Sequence, residues 1–179
     1  GKVSGIMANT IELKQQIAQG EYDAAFAKLY GADAVQEQRK RYTDLIDEFE
    51  KKYGTNRTVR LYSAPGRTEI GGNHTDHQHG RVLAGSVNID MIAAAAPNSL
   101  NQLRVQSEGY DLCVIDLNDL EARKEEENTT AALLRGECAA FTQRGAKLAG
   151  LDVYISSNVP KGSGVSSSCL LYTSDAADE

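Results

Sequence analysis

The chain's only three histidines, His74, His77 and His79, fall in one stretch, Ala64-Pro-Gly-Arg-Thr-Glu-Ile-Gly-Gly-Asn-His-Thr-Asp-His-Gln-His79, with Asp76 among them. Imidazole and carboxylate at such close quarters suit two kinds of chemistry. One is metal ligation, since both groups hold zinc or iron. The other is a polar pocket that addresses several hydroxyls of a sugar, where matched donors and acceptors reject ligands lacking the right groups. Spacing weighs against the metal. The order is H-x-D-H-x-H, not the H-x-H-x-D-H of di-zinc hydrolases, and no further histidine exists to complete such a site. A surface turn with incidental histidines is the remaining reading.

The second concentration of chemistry is Val159-Pro-Lys-Gly-Ser-Gly-Val-Ser-Ser-Ser168. Gly162 and Gly164 let a backbone turn tightly and approach a ligand closely. Ser166, Ser167 and Ser168 would then open a helix, whose free N–H groups favour a phosphate. The Gly-x4-Gly-Lys-[ST] spacing of a Walker A loop is absent, and so is G-x-S-x-G. Taken alone, such a segment is equally an ordinary strand-to-helix turn.

Together the two segments are far more specific. The chain resembles the galactokinases of the GHMP small-molecule kinase family. Ala64–His77 is similar to the signature A-P-G-R-x-N-x-I-G-E-H-T-D-Y, and Pro160–Ser168 to the phosphate loop P-x-G-[SAG]-G-[LV]-S-S-S; their order and separation also fit. The resemblance covers roughly Phe49 to Ser168. It implies ATP-dependent phosphorylation of galactose at the anomeric hydroxyl, with magnesium. It places Arg67 near the reacting centre, where a fixed cation stabilises developing charge. Asn73, His74 and Asp76 would hydrogen-bond the sugar. Pro160, Gly162, Ser163, Gly164, Val165, Ser166, Ser167 and Ser168 would wrap the ATP phosphates, with Ser168 (or its neighbour Ser167) the magnesium ligand.

The chain departs from the pattern at three positions. Asn73 stands where the family has Glu, Glu69 where it has Asn, and His77 where it has Tyr. The Asn73 change removes a negative charge and adds a donor, so sugar preference is the property most exposed to it. The family's catalytic aspartate sits in a G-[IM]-M-D-Q-like segment after the phosphate loop, and no counterpart precedes Glu179. The expectation is the front part of a longer kinase, unable to turn over by itself, with residues 169–179 a non-native tail. The competing readings are a GHMP kinase for another small molecule, a metal-dependent hydrolase, and a non-catalytic sugar sensor.

The expected elements form an α+β domain, a truncated GHMP-kinase N-terminal domain like domain 2 of ribosomal protein S5, with helices on one side of its sheet. Residues 1–54 read as a helical segment and 55–168 as the partial kinase domain carrying both motifs. Apolar residues at 3–4 spacing predict a helix over Thr10–Tyr30, which Gly20 is placed to break. A second helix spans Ala32–Tyr53, with Tyr42, Leu45, Ile46 and Phe49 on one face and Gly54 at its C-cap. Alternation predicts a strand over Thr58–Ser63, ended by Pro65-Gly66. Strand character continues over Arg81–Ala96, Gln102–Gln106 and Leu112–Ile115. A helix over Thr130–Leu148 then leads to an alternating strand, Leu151–Ser157.

Composition excludes several classes. The 179 residues are 41% hydrophobic and 25% charged, enough apolar material for a core. No apolar run reaches the ~18 residues of a membrane span, and Gly1–Asn9 lacks the apolar stretch of a secretory signal. A formal charge of −6, from 25 acidic and 19 basic residues, opposes general nucleic-acid binding. Three cysteines without C-x-x-C spacing suggest neither a disulfide framework nor a cysteine metal site, which fits a cytoplasmic protein. The partners to expect are a sugar and ATP, not nucleic acid or membrane.

Overall fold

The computed structural model describes residues 7–65 and 90–157. A three-residue strand, β1 (Met7–Asn9), leads into α1 (Thr10–Ala18), α2 (Asp23–Tyr30) and α3 (Val35–Tyr53). Helix α1 starts where the Asn9 side chain accepts a hydrogen bond from Ile11 N at 2.9 Å, satisfying one free amide of the first turn. The run from Thr10 to Tyr30 is indeed cut in two at Gly20. Its φ of 87° lies in the left-handed region, which glycine enters without a Cβ clash. The second helix begins one turn later than its periodicity suggests. Ala32–Ala34 forms a 3₁₀ turn before α3 begins at Val35.

Strands β2 (Thr58–Pro65), β3 (Asp90–Pro97), β4 (Gln102–Ser107), β5 (Cys113–Asp116) and β6 (Leu151–Ser157) join β1 in one sheet. The order is β1-β2-β3-β6-β4-β5. Neighbours are antiparallel except β4 and β6. Of the strand expected over Arg81–Ala96, residues 81–89 lie outside the described residues. Strand β1 carries too few residues to show a pattern; its pairing of Met7–Asn9 with Thr58–Arg60 defines it.

The β-alternation sorts side chains onto two faces, and each has its own core. On one face Val59, Leu61, Ile92, Ala94, Ala96 and Tyr154 meet α1, α2 and α3 through Leu13, Ile17, Phe26, Tyr42, Leu45, Ile46 and Phe49. On the other, Tyr62, Met91, Ala93, Leu103, Ile115, Val153 and Ile155 meet Leu134 and Cys138 of α4 (Thr130–Gln143). Helices therefore cover both faces, not one as expected. On the first face α3 lies against β3 and β6, and on the second α4 lies against β5. Each large side chain taken fully out of water here contributes ~1.5–3 kcal/mol.

Helix α4 is shorter than the expected Thr130–Leu148. Its apolar pattern continues past Gln143, but Gly145 has a φ of 90°. Ala146 N donates to Phe141 O and Gly145 N to Thr142 O, both at 3.0 Å. That pair of bonds is a Schellman cap, which ends the helix whatever the periodicity beyond it.

Candidate functional site

The two motif segments attach to the sheet at one end. Residues 66–89 connect β2 to β3, and Pro65 is the register partner of Asp90. Strand β6 ends at Ser157, the register partner of Met91. The departure of the first segment, its return and the departure of the second therefore lie on three neighbouring strands spaced ~4.8 Å apart. A fourth strand reaches the same end, since β4 runs parallel to β6 and pairs Ser107 with Ile155. Ser156 Oγ donates to Glu108 Oε1 at 3.1 Å, and Glu108 N to Ile155 O at 2.9 Å. These contacts tie the β4–β5 turn to the last residues of β6.

Arg67, Asn73, His74 and Asp76 lie outside the described residues, as do Pro160, Gly162, Ser163, Gly164, Val165, Ser166, Ser167 and Ser168. What the structure positions is the frame from which both groups depart. Among the described residues, no group of three or more His, Cys, Asp or Glu side chains could hold a metal ion. Nor is any helix there long and apolar enough to cross a membrane.

The opposite end of the sheet is held by a buried charge that sequence reasoning missed. Asp152, on β6, has no exposed side-chain surface. It accepts from Arg104 Nε at 2.6 Å and Nη2 at 2.8 Å, Arg57 Nη1 at 2.6 Å, and Asn98 Nδ2 at 2.8 Å. Burial alone would raise its pKa, but the bonds from Arg104, Arg57 and Asn98 outweigh burial and hold it below the ordinary carboxylate value. Beside it the Tyr53 hydroxyl donates to Val153 O at 2.8 Å, with Arg104 O 3.2 Å away as a second acceptor for the same proton. Burial, and then the nearby Asp152 carboxylate, push that hydroxyl well above the usual tyrosine range. Arg57 reaches on to Pro97 O at 2.7 Å. One cluster thus ties β3, β4, β6 and the end of α3 together, and with them the register that aligns Pro65, Asp90 and Ser157.

Helix α3 spans this distance. Tyr42, in its first half, lies near Ser63 at the motif end, and Tyr53, at its last turn, lies at the Asp152 end. A second ion pair, half-buried, secures the other face. Arg135 of α4 meets Glu126 through Nε–Oε1 at 2.9 Å and Nη2–Oε2 at 3.0 Å, and donates to Asp119 O. The segment between β5 and α4 is thereby pinned to the helix.

Residues 47–97 match the galactokinase galactose-binding signature. That span runs from the second half of α3 through β2 and residues 66–89 to the end of β3. The chain is 31% identical over 129 residues to the galactokinase of Clostridium tetani, and 33% over 143 residues to that of Dictyostelium discoideum. These alignments take in 72% and 74% of this chain but 32% and 28% of the relatives, so it spans about a third of their length. A crystal structure of Lactococcus lactis galactokinase complexed with galactose matches the fold with a TM-score of 0.52 at 20% identity, over 73% of this chain and 35% of that one. Over the region they share, the chain is similar to the galactokinases in sequence and in fold.

Proposed function

We propose that this chain forms the sugar-recognising and phosphate-binding part of an ATP-dependent sugar kinase, the parent protein phosphorylating galactose at its anomeric hydroxyl. The observation that carries the reading is the convergence of Pro65, Asp90 and Ser157 on one end of three neighbouring strands. Two residues follow Pro65 to reach Arg67, and three follow Ser157 to reach Pro160. At ~3.3–3.6 Å per residue, covalent reach keeps the start of each motif near that end. Phosphoryl transfer needs such closeness, because its catalysis is mostly positioning and charge stabilisation.

In this reading Asn73, His74 and Asp76 hold sugar hydroxyls, and Arg67 stabilises charge on the transferring group. Pro160 and Gly162–Ser168 present backbone N–H groups to the ATP phosphates. Magnesium would enter with those phosphates, and the Ser168 hydroxyl is an oxygen donor of the kind a hard cation accepts. It would neutralise phosphate charge there. The anomeric oxygen bonds to the γ-phosphorus as the bridging oxygen to the β-phosphate leaves with ADP. The hydroxyl proton needs an acceptor, and the sequence offers no aspartate in the family's pattern for that role. Cytoplasmic residence belongs to the proposal, on the absence of a paired-cysteine pattern.

Calorimetric titration of the purified chain with galactose tests this. Binding that Asp76→Ala or His74→Ala abolishes is expected, without galactose-dependent ADP formation. A wild-type chain indifferent to galactose at millimolar concentration would refute the sugar assignment. Asn73 in place of the signature's Glu gives one reason to titrate N-acetylgalactosamine in parallel; a preference for it would move the substrate, not the kinase class.

A further inference from the structure

Three hydroxyls meet where β2 approaches Pro65. The Tyr30 and Tyr42 oxygens lie 2.7 Å apart, and the Tyr30 oxygen lies 3.2 Å from Ser63 Oγ. Tyr42 is fully buried and Ser63 nearly so. The rings are fixed from the side, since Tyr42 packs on Phe26 with centroids 4.9 Å apart and meets Tyr30 edge-on at 6.4 Å. Packing does not require these oxygens. Two phenylalanines and an alanine would occupy nearly the same volume. What a satisfied buried set adds is a single geometry. Here it ties the last residue of α2 to Ser63, the register partner of Ile92, two residues before the Pro65–Asp90 pair.

We infer that Tyr30 is a positioning residue for sugar recognition: its hydroxyl, through Ser63, fixes where β2 delivers the chain at Pro65. The inference rests on reading residues 66–89 as the sugar-recognition segment. It explains why a tyrosine hydroxyl is spent on a buried strand residue at the motif end of the sheet. The far end of α3 supplies a control. Tyr53 also places a hydroxyl against the sheet, on Val153 O and Arg104 O, but away from Pro65.

The test uses the 179-residue chain as wild type, Tyr30→Phe, Ser63→Ala, the double variant and Tyr53→Phe. Amide hydrogen exchange is read first, because it reports local opening without any ligand. Exchange over residues 61–64 and 90–93 should quicken ~3- to 10-fold in Tyr30→Phe and Ser63→Ala, the size expected from one neutral hydrogen bond. Residues 151–153 should be unchanged. Galactose affinity, measured where every variant is folded, should fall by a similar factor in each single variant and no further in the double. Tyr53→Phe should lower Tm while leaving galactose affinity alone. Unchanged exchange at 61–64 in Tyr30→Phe overturns the inference, as do additive affinity losses in the double variant or an equal loss in Tyr53→Phe. A wild-type chain that takes up no galactose removes the sugar reading and with it the recognition role, while the exchange arm still reports whether Tyr30 holds the end of β2.

Discussion

Arg104 and Asp152 are register partners on the parallel strands β4 and β6, joined by two hydrogen bonds of 2.6 and 2.8 Å. Arg57 and Asn98 complete the shell around the same carboxylate. Removing one partner of a buried pair leaves the rest uncompensated, which typically costs 3–5 kcal/mol. Asp152→Ala strands two guanidinium groups and should lose about that much. Arg104→Ala should lose less, because Arg57 and Asn98 still face the carboxylate. Urea denaturation measures both; a loss below ~1 kcal/mol in Asp152→Ala would show that the cluster does not hold the sheet.

The same carboxylate sets an acid limit. Its folded pKa lies below its unfolded value, so the unfolded chain binds the proton more readily. The stability it contributes is therefore complete above the ordinary aspartate value of ~3.9 and drains as pH falls from there through the folded pKa. Asp152→Asn should flatten the pH dependence of unfolding in that acid window and leave the neutral region parallel to wild type. Unchanged acid sensitivity in the variant would assign the effect to other carboxylates.

Gly150 sits against the same cluster. A Cβ there would come within 2.1 Å of Asn98 Oδ1 and 3.0 Å of Asn98 O. That side chain cannot swing aside freely, since its oxygen accepts from Leu100 N at 2.9 Å and its amide donates to Asp152. Gly150→Ala should cost ~1–3 kcal/mol by overpacking. A melting temperature equal to wild type would mean that the turn after β3 relaxes without strain.

Arg135 should control the segment between β5 and α4 rather than the whole fold. Arg135→Met keeps the apolar stem but leaves Glu126 and Asp119 O without their donor. Limited trypsin digestion should then cut at Arg123 or Lys124 faster than in wild type, with the urea midpoint lowered by a smaller margin. Equal cutting rates would show that the segment is held by its apolar contacts alone.

Elements with a dense local signal were legible from residues alone. The face Tyr42, Leu45, Ile46 and Phe49 predicted α3, and all four are buried on it. Gly20 divided the first helical run where expected, because a left-handed φ is a property of that residue type. The end of α4 was misread: Leu148 continued the period, and periodicity does not register a Schellman turn at Gly145. The alternation in Leu151–Ser157 predicted a strand but not its double burial, since Asp152 and Tyr154 look like solvent-facing positions. Asp152 gains its partners from residues 95, 54 and 48 positions away, a distance at which sequence carries no spacing rule. The motif residues were the reverse case. Their types and order pointed to sugar and phosphate chemistry with no help from elements, whereas the neighbouring strand ends from which their segments depart became visible only through register.

Strand β6 has a consequence for how the chain is made. It is the last described strand in sequence yet lies between β3 and β4, at the centre of the sheet. On a ribosome, every earlier strand emerges before the slot can be filled. Until then β3 and β4 present unpaired inner edges, the kind of surface that seeks other strands. Biosynthesis thus has a vulnerable interval that closes with Leu151–Ser157, and the glycine- and serine-rich segment 159–168 leaves the ribosome directly behind the strand that ends it.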